Sequence, residues 1–228
     1  MRPQADESAG RLAAGVAHDF NNLLQAMLGA LELIRSEQAL PPEAAEYAEL
    51  AMQAARRGAI LTRQLLAFSR QQVLQPRPVC PAALLGRLAA ELQVQAPGLA
   101  VQLSTEEARL LADGPLLEHA LREVLANARA AMPGQGVLLL TAASRLPPAA
   151  LGLPAEPYVC LGLRDTGTGM PPGVLARACE PFFTTRGKAS LGLGLSMVQG
   201  FVRQSGGEMT IASQPGEGTT VTLFLPHA

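Results

Sequence analysis

The chain has 228 residues, a formal charge of -1, 48% hydrophobic residues and 16% charged ones, enough for one large domain or two modest ones, each with its own core. The near-neutral balance, with a pI near 6.3, gives no electrostatic basis for a nucleic-acid partner, and no apolar run reaches the roughly 18 residues that a membrane segment needs. Cys80, Cys160 and Cys179 are widely spaced with no CxxC pair, and the polar start Met1 to Glu7 is no signal peptide; zinc and disulfide scaffolds are not indicated, and a reduced, cytoplasmic setting is expected.

From Glu7 to Glu37 no proline interrupts the chain, and Leu12, Val16, Leu23, Leu24, Met27, Leu31 and Ile34 recur at helical spacing, which predicts one long helix. Pro41-Pro42 ends it. A second periodic stretch from Glu43 to about Val73 puts Leu50, Ile60, Leu61, Leu65, Leu66 and Phe68 on an inner stripe. Two helices of ~30 residues, each ~45 Å long at ~1.5 Å per residue, make an antiparallel hairpin. One hairpin leaves an apolar side wet, so pairing of two copies into a dimeric four-helix bundle is expected.

Gln75-Pro76-Arg77-Pro78 is stiff, extended and unable to continue a helix. Residues 76–78 therefore read as a linker between a domain of residues 1–75 and one of residues 79–228. Past the linker the pattern predicts a helix from Pro81 to Gln95, strands near Ala100–Leu103 and Arg109–Leu111, and a long helix from Pro115 to Met132. Strands near Val137–Thr141 and Tyr158–Leu163 flank a Pro/Ala-rich insert, Leu146 to Pro157. A helix from Leu193 to Ser205 and strands Glu208–Ala212 and Thr219–Leu225 close the chain. Helices on one face of a mixed sheet describe an α+β sandwich.

The chemistry-bearing residues fall into five groups. His18 is followed by Asp19 and, one helical turn on, by Asn22. A neutral imidazole is a nucleophile, and an adjacent carboxylate can accept the proton released as a phosphoryl group arrives, which makes Asp19 the candidate base. Glu123 and Asn127, at i and i+4, share one helix face, where their oxygens can hold Mg²⁺ and so bridge nucleotide phosphates. Asp165, at the end of a strand that reads as buried, can accept a hydrogen bond from an adenine amino group, while Gly167 and Gly169 let the chain turn and pass close to the base. Phe182 and Phe183 lead into the polar, basic segment containing Arg186, Gly187 and Lys188. Gly192, Gly194 and Leu195 then open the last helix, whose N-terminal N–H groups suit phosphate. Gly216-Glu217-Gly218, ahead of the last strand, reads as a hairpin turn.

Taken together, these motifs resemble the sensor histidine kinases of two-component systems over nearly the whole chain, and most closely the type whose histidine box reads A-H-D-F-N-N-L-L. The resemblance implies that residues 7 to 75 form the dimerisation and histidine-phosphotransfer hairpin. It implies that residues 79 to 228 form an ATP-binding domain of the gyrase, Hsp90, histidine kinase and MutL superfamily. The family's N box falls on Glu123 to Ala131, its G1 box on Asp165 to Gly169, its F box on Phe182 and Phe183, and its G2 box on Gly192 to Leu195. The implied activity is ATP-dependent phosphorylation of His18 and transfer to an aspartate of a response regulator receiver domain. Asn22 is implied in the reverse step, orienting a water toward the regulator's phospho-aspartate. Four positions depart from the family pattern: Ser190-Leu191 stands for the usual Gly-Thr, Glu123 for a common Asn and Ala130 for a common Asp. The alternative is a phosphotransfer or scaffold protein with a lapsed nucleotide domain, and a third reading is an ATPase that activates water with Glu123.

Overall fold

The computed structural model describes residues 23, 26–34, 41, 43–52, 55, 58, 74–187, 190 and 192–228. The chain divides into two compact units, Met1–Val73 and Leu74–Ala228. In the first, residues 26–34 (α1) and 43–52 (α2) are helical, and Ala48, Met52 and Ala55 are buried, spaced as one helical face requires. Leu50, expected on the inner stripe, is 53% exposed. It stands two residues, about 200° of helical rotation, from both Ala48 and Met52. Leu23, Met27, Ile34 and Tyr47 are exposed in the single chain as well. The outer parts of both predicted helices, with His18, Asp19, Asn22 and the stripe from Ile60 to Phe68, lie outside the described residues.

The second unit begins with β1 (Arg77–Val79), α3 (Pro81–Gln95), β2 (Leu99–Thr105), β3 (Leu110–Ala112) and α4 (Gly114–Ala131). It continues with β4 (Gly136–Arg145), a 3-10 turn (Ala149–Leu151), β5 (Tyr158–Asp165), α5 (Pro172–Leu175), α6 (Gly194–Gln204), β6 (Glu208–Gln214) and β7 (Gly218–Pro226). Pro81 starts α3 as a residue whose missing N–H costs nothing in the first turn. Asp113 caps α4, its Oδ1 accepting from the Leu116 N–H at 3.2 Å while its Oδ2 accepts from the Gln75 N–H at 3.1 Å. The expected linker is therefore partly strand: Arg77 and Pro78 pair antiparallel with Ala112 and Leu111. An extended X-Pro conformation serves an edge strand as readily as a linker.

Among the described residues the main sheet runs β2-β4-β5-β7-β6, with β2 parallel to β4 and the other neighbours antiparallel. Register aligns Leu103, Leu140, Leu163, Val221 and Ile211 in one row across the five strands. This is the face that α3, α4 and α6 cover with Leu85, Leu88, Leu117, Leu121, Val198 and Val202. Each leucine buried there contributes about 1.5–3 kcal/mol. The next row reads Val101, Leu138, Asp165. The alternation that fills the core with leucine thus delivers one carboxylate to the helix-covered face at the sheet's end.

On the outer face Tyr158, Cys160 and Phe224 form a second, small cluster covered by Leu151 and Leu153. The Pro/Ala-rich insert is thus a lid over the back of the sheet. Among the described residues no helix is long and apolar enough to cross a membrane.

Candidate functional site

The β5 terminus, one side of α4, the start of α6 and the segment between α5 and α6 enclose a pocket of about 240 Å³. Asp165 is in its wall and only 5% exposed. Its Oδ1 accepts from the N–H groups of Gly167 at 2.8 Å and Thr219 at 3.2 Å. Burial pushes the carboxyl above its ordinary range, and those two donors pull the other way.

The turn after Asp165 is fixed from several sides. Thr166 accepts at Oγ1 from the Val137 N–H at 2.9 Å, and the Thr168 N–H donates to the Ala131 carbonyl at 3.1 Å. The Met170 N–H donates to Ser213 Oγ at 2.8 Å, and the Gly216 N–H to the Thr168 carbonyl at 2.8 Å. Gly167 is required by contact: a Cβ there would lie 2.7 Å from the Cβ and carbonyl oxygen of Ala131. Gly169 is required by both contact and conformation, since its φ is +65° and a Cβ would run into the backbone of Gln214.

On the α4 side, Asn127 lines the pocket and its Oδ1 accepts from Arg186 Nη2 at 2.6 Å. Arg186 Nη2 also reaches Ser190 Oγ at 3.4 Å, which accepts from the Gly192 N–H at 3.4 Å. Glu123 is elsewhere: it is not in the pocket wall, and a Cβ on Gly194 would lie 2.6 Å from its Oε2. Its carboxylate thus packs on the first residue of α6, whose N-cap, Leu193, has no polar side chain to offer. Among the described residues no three His, Cys, Asp or Glu side chains gather as a metal site.

The two adjacent aromatics separate. Phe183 lines the pocket, with the Arg177 guanidinium 4.1 Å from its ring centroid. Phe182 points outward, 63% exposed and at φ +67°, the one non-glycine at positive φ among the described residues. Gly192 accounts for the close fit here, at φ +66° with its Cα side against the Phe182 and Phe183 backbones.

Of the expected binding residues, the pocket therefore gathers Asn127, Asp165, Gly169, Phe183, Arg186, Gly192, Gly194 and Leu195. Glu123, Gly167 and Phe182 stand behind or beside it, and Lys188 is outside the described residues. Sequence reasoning missed Thr219 and Ser213, which fix Asp165 and the turn, and the apolar walls Val124, Leu163 and Val221. The Gly-Glu-Gly-Thr turn before the last strand was the available signal for Thr219; the walls read only as core.

Residues 112–228 match the family described as histidine kinase-, DNA gyrase B- and HSP90-like ATPase, and residues 8–73 match the His Kinase A (phospho-acceptor) domain. The sensor kinase CckA of Brucella abortus (strain 2308) is 39% identical over 238 residues, covering 98% of this chain and 25% of that protein. The signal transduction histidine-protein kinase AtoS of Escherichia coli (strain K12) is 29% identical over 221 residues, covering 95% of this chain and 34% of its own. The chain thus spans a quarter to a third of these relatives. Among solved structures, full-length ShkA in complex with AMPPNP superposes with a TM-score of 0.78 at 25% identity, over 96% of this chain and 46% of its own. The mycobacterial sensor histidine kinase MprB, at 23% identity and TM-score 0.56 over 67% of this chain and 98% of its own, shares the fold.

Proposed function

Because the chain belongs to the histidine kinase-, DNA gyrase B- and HSP90-like ATPase family, with a phospho-acceptor domain ahead of it as in two-component histidine kinase cores, we propose that it phosphorylates its own His18 from ATP and passes the phosphoryl group to an aspartate of a response regulator receiver domain. The observation that carries this reading is Asp165: a buried carboxylate at a pocket wall, with both recorded hydrogen bonds on one oxygen.

That arrangement suits an adenine nucleotide. Asp165 Oδ2 would accept from the adenine amino group, while Val124, Leu163, Val221 and Phe183 exclude water from the ring faces. Gly192 and Gly194, at the start of α6, would offer backbone N–H groups to the phosphates. Asn127 would hold the divalent cation that accompanies them. Glu123, packed on Gly194, would fix the start of α6 rather than ligate the metal directly.

On the acceptor side, His18 would attack as the neutral imidazole and Asp19 would take its proton. Asn22, one turn on, would position a water for dephosphorylation of the regulator. In this reading residues 1–75 form the dimerisation and phosphotransfer domain, 76–78 the linker and 79–228 the catalytic domain. The exposed Leu23, Met27, Ile34, Tyr47 and Leu50 support a homodimer, in which a second copy would cover them. The dependence on ATP favours a cytoplasmic setting.

The test is to incubate pure protein with γ-labelled ATP and Mg²⁺. Acid-labile, base-stable label on the protein is the expected result. Absence of nucleotide binding would instead favour a carrier phosphorylated by another protein.

A further inference from the structure

Resting on the nucleotide-binding reading, we propose that Arg186 and the nucleotide's divalent cation are alternative occupants of Asn127 Oδ1, so that the cation enters only by displacing the guanidinium. The contact is short, 2.6 Å from Arg186 Nη2 to Oδ1, and joins residues 59 apart in sequence. A carbonyl oxygen has two lone pairs, so geometry alone would admit a second partner. Charge opposes it: a dication on the same oxygen would stand within about 5 Å of the guanidinium, well inside the ~8–10 Å screening length of salt solution, even at this partly exposed contact. Arg186 therefore holds the place of positive charge on that oxygen.

Its release has a structural consequence. Arg186 Nη2 also donates to Ser190 Oγ, which in turn accepts from the Gly192 N–H. Displacing Arg186 loosens the contact that ties Asn127 to the segment just ahead of α6, and frees a guanidinium at the pocket wall for phosphate oxygens. The Mg²⁺ requirement of the site is thus set partly by a side chain that does not ligate the metal. Ser190, which departs from the family's usual glycine, is part of the same device.

Calorimetry of ADP binding across a Mg²⁺ series tests this with no catalytic readout. Arg186→Met, which keeps length and removes both charge and donor, should lower the half-saturating Mg²⁺ concentration about 5- to 10-fold, the range expected when a charge-assisted hydrogen bond in a partly exposed site no longer competes. Ser190→Ala should lower it by a smaller factor, and serves if Arg186→Met folds poorly. In an Asn127→Ala background Arg186→Met should have no effect on the Mg²⁺ dependence. An unchanged or raised requirement in Arg186→Met, or an equal fall in both backgrounds, overturns the proposal. Wild-type protein that binds no ADP with Mg²⁺ overturns the nucleotide reading, and this one with it.

Discussion

The backbone N–H of Thr219 donates to Asp165 Oδ1 at 3.2 Å, joining the start of the last strand to a carboxylate 54 residues earlier. With the Gly167 N–H on the same oxygen, it leaves the carboxylate one rotational setting, so the acceptor proposed for adenine is held before any ligand arrives.

Asp165→Asn keeps those two bonds and removes the charge. Affinity for ATP should fall at a cost of ~1–3 kcal/mol, up to about a hundredfold, because one acceptor oxygen becomes an NH₂ facing another donor. Calorimetry showing equal ATP affinity would remove Asp165 from base recognition.

The same variant should be more stable than wild type at neutral pH. Burial raises the folded-state pKa of Asp165, so the folded protein holds its proton more tightly than the unfolded chain. Stability from this group is full below the unfolded pKa and is lost as pH rises through the folded one. Thermal melts should show the advantage of Asp165→Asn growing with pH from acid values and levelling once the folded carboxyl ionises. A gap that shrinks with rising pH would contradict the burial argument.

Two glycines at positive φ separate strain from contact. Gly216→Ala, at φ +81° with open space around the added methyl, should cost ~1 kcal/mol for conformation alone. Gly169→Ala meets the Gln214 backbone as well and should cost at least ~3 kcal/mol, with loss of the pocket. Urea unfolding that ranks the two equally would mean that the turn relaxes freely.

Phe182 combines an exposed ring with a left-handed backbone. Phe182→Gly should therefore stabilise the second unit by ~0.5–1 kcal/mol, the relief of strain exceeding the added entropy of the unfolded chain. A loss of stability would show that the ring makes contacts worth more than the strain.

What could be read from the sequence divides along physical lines. The α3 range, Pro81 to Gln95, was legible in the sequence, and β5 was visible as an apolar run ahead of Asp165. β1 was hidden because Pro76 before it and Pro78 within it suit a linker equally well, and α5 because four residues carry no periodicity. The i, i+4 spacing of Glu123 and Asn127 put both on one side of α4, but said nothing of what packs there: Glu123 meets Gly194 and Asn127 meets Arg186. Alternation within Phe182-Phe183 could not say which ring turns inward; Gly192, nine residues on, is what presses on that backbone.

For the reverse reaction, Asn22→Ala should slow loss of phospho-aspartate from the cognate regulator in the presence of ADP, while labelling of His18 survives. Positioning a water needs the amide and no charge. Equal dephosphorylation rates for wild type and variant would leave Asn22 without that role.

The central claim is best tested by comparing wild type and His18→Ala for phosphoryl incorporation from γ-labelled ATP, with ADP affinity measured on both samples. Acid-labile label on wild type, none on the variant and equal ADP affinity are predicted, since acceptor and pocket lie in different units. Stable label on His18→Ala, or phosphate release from wild type with no labelled protein, would contradict the account.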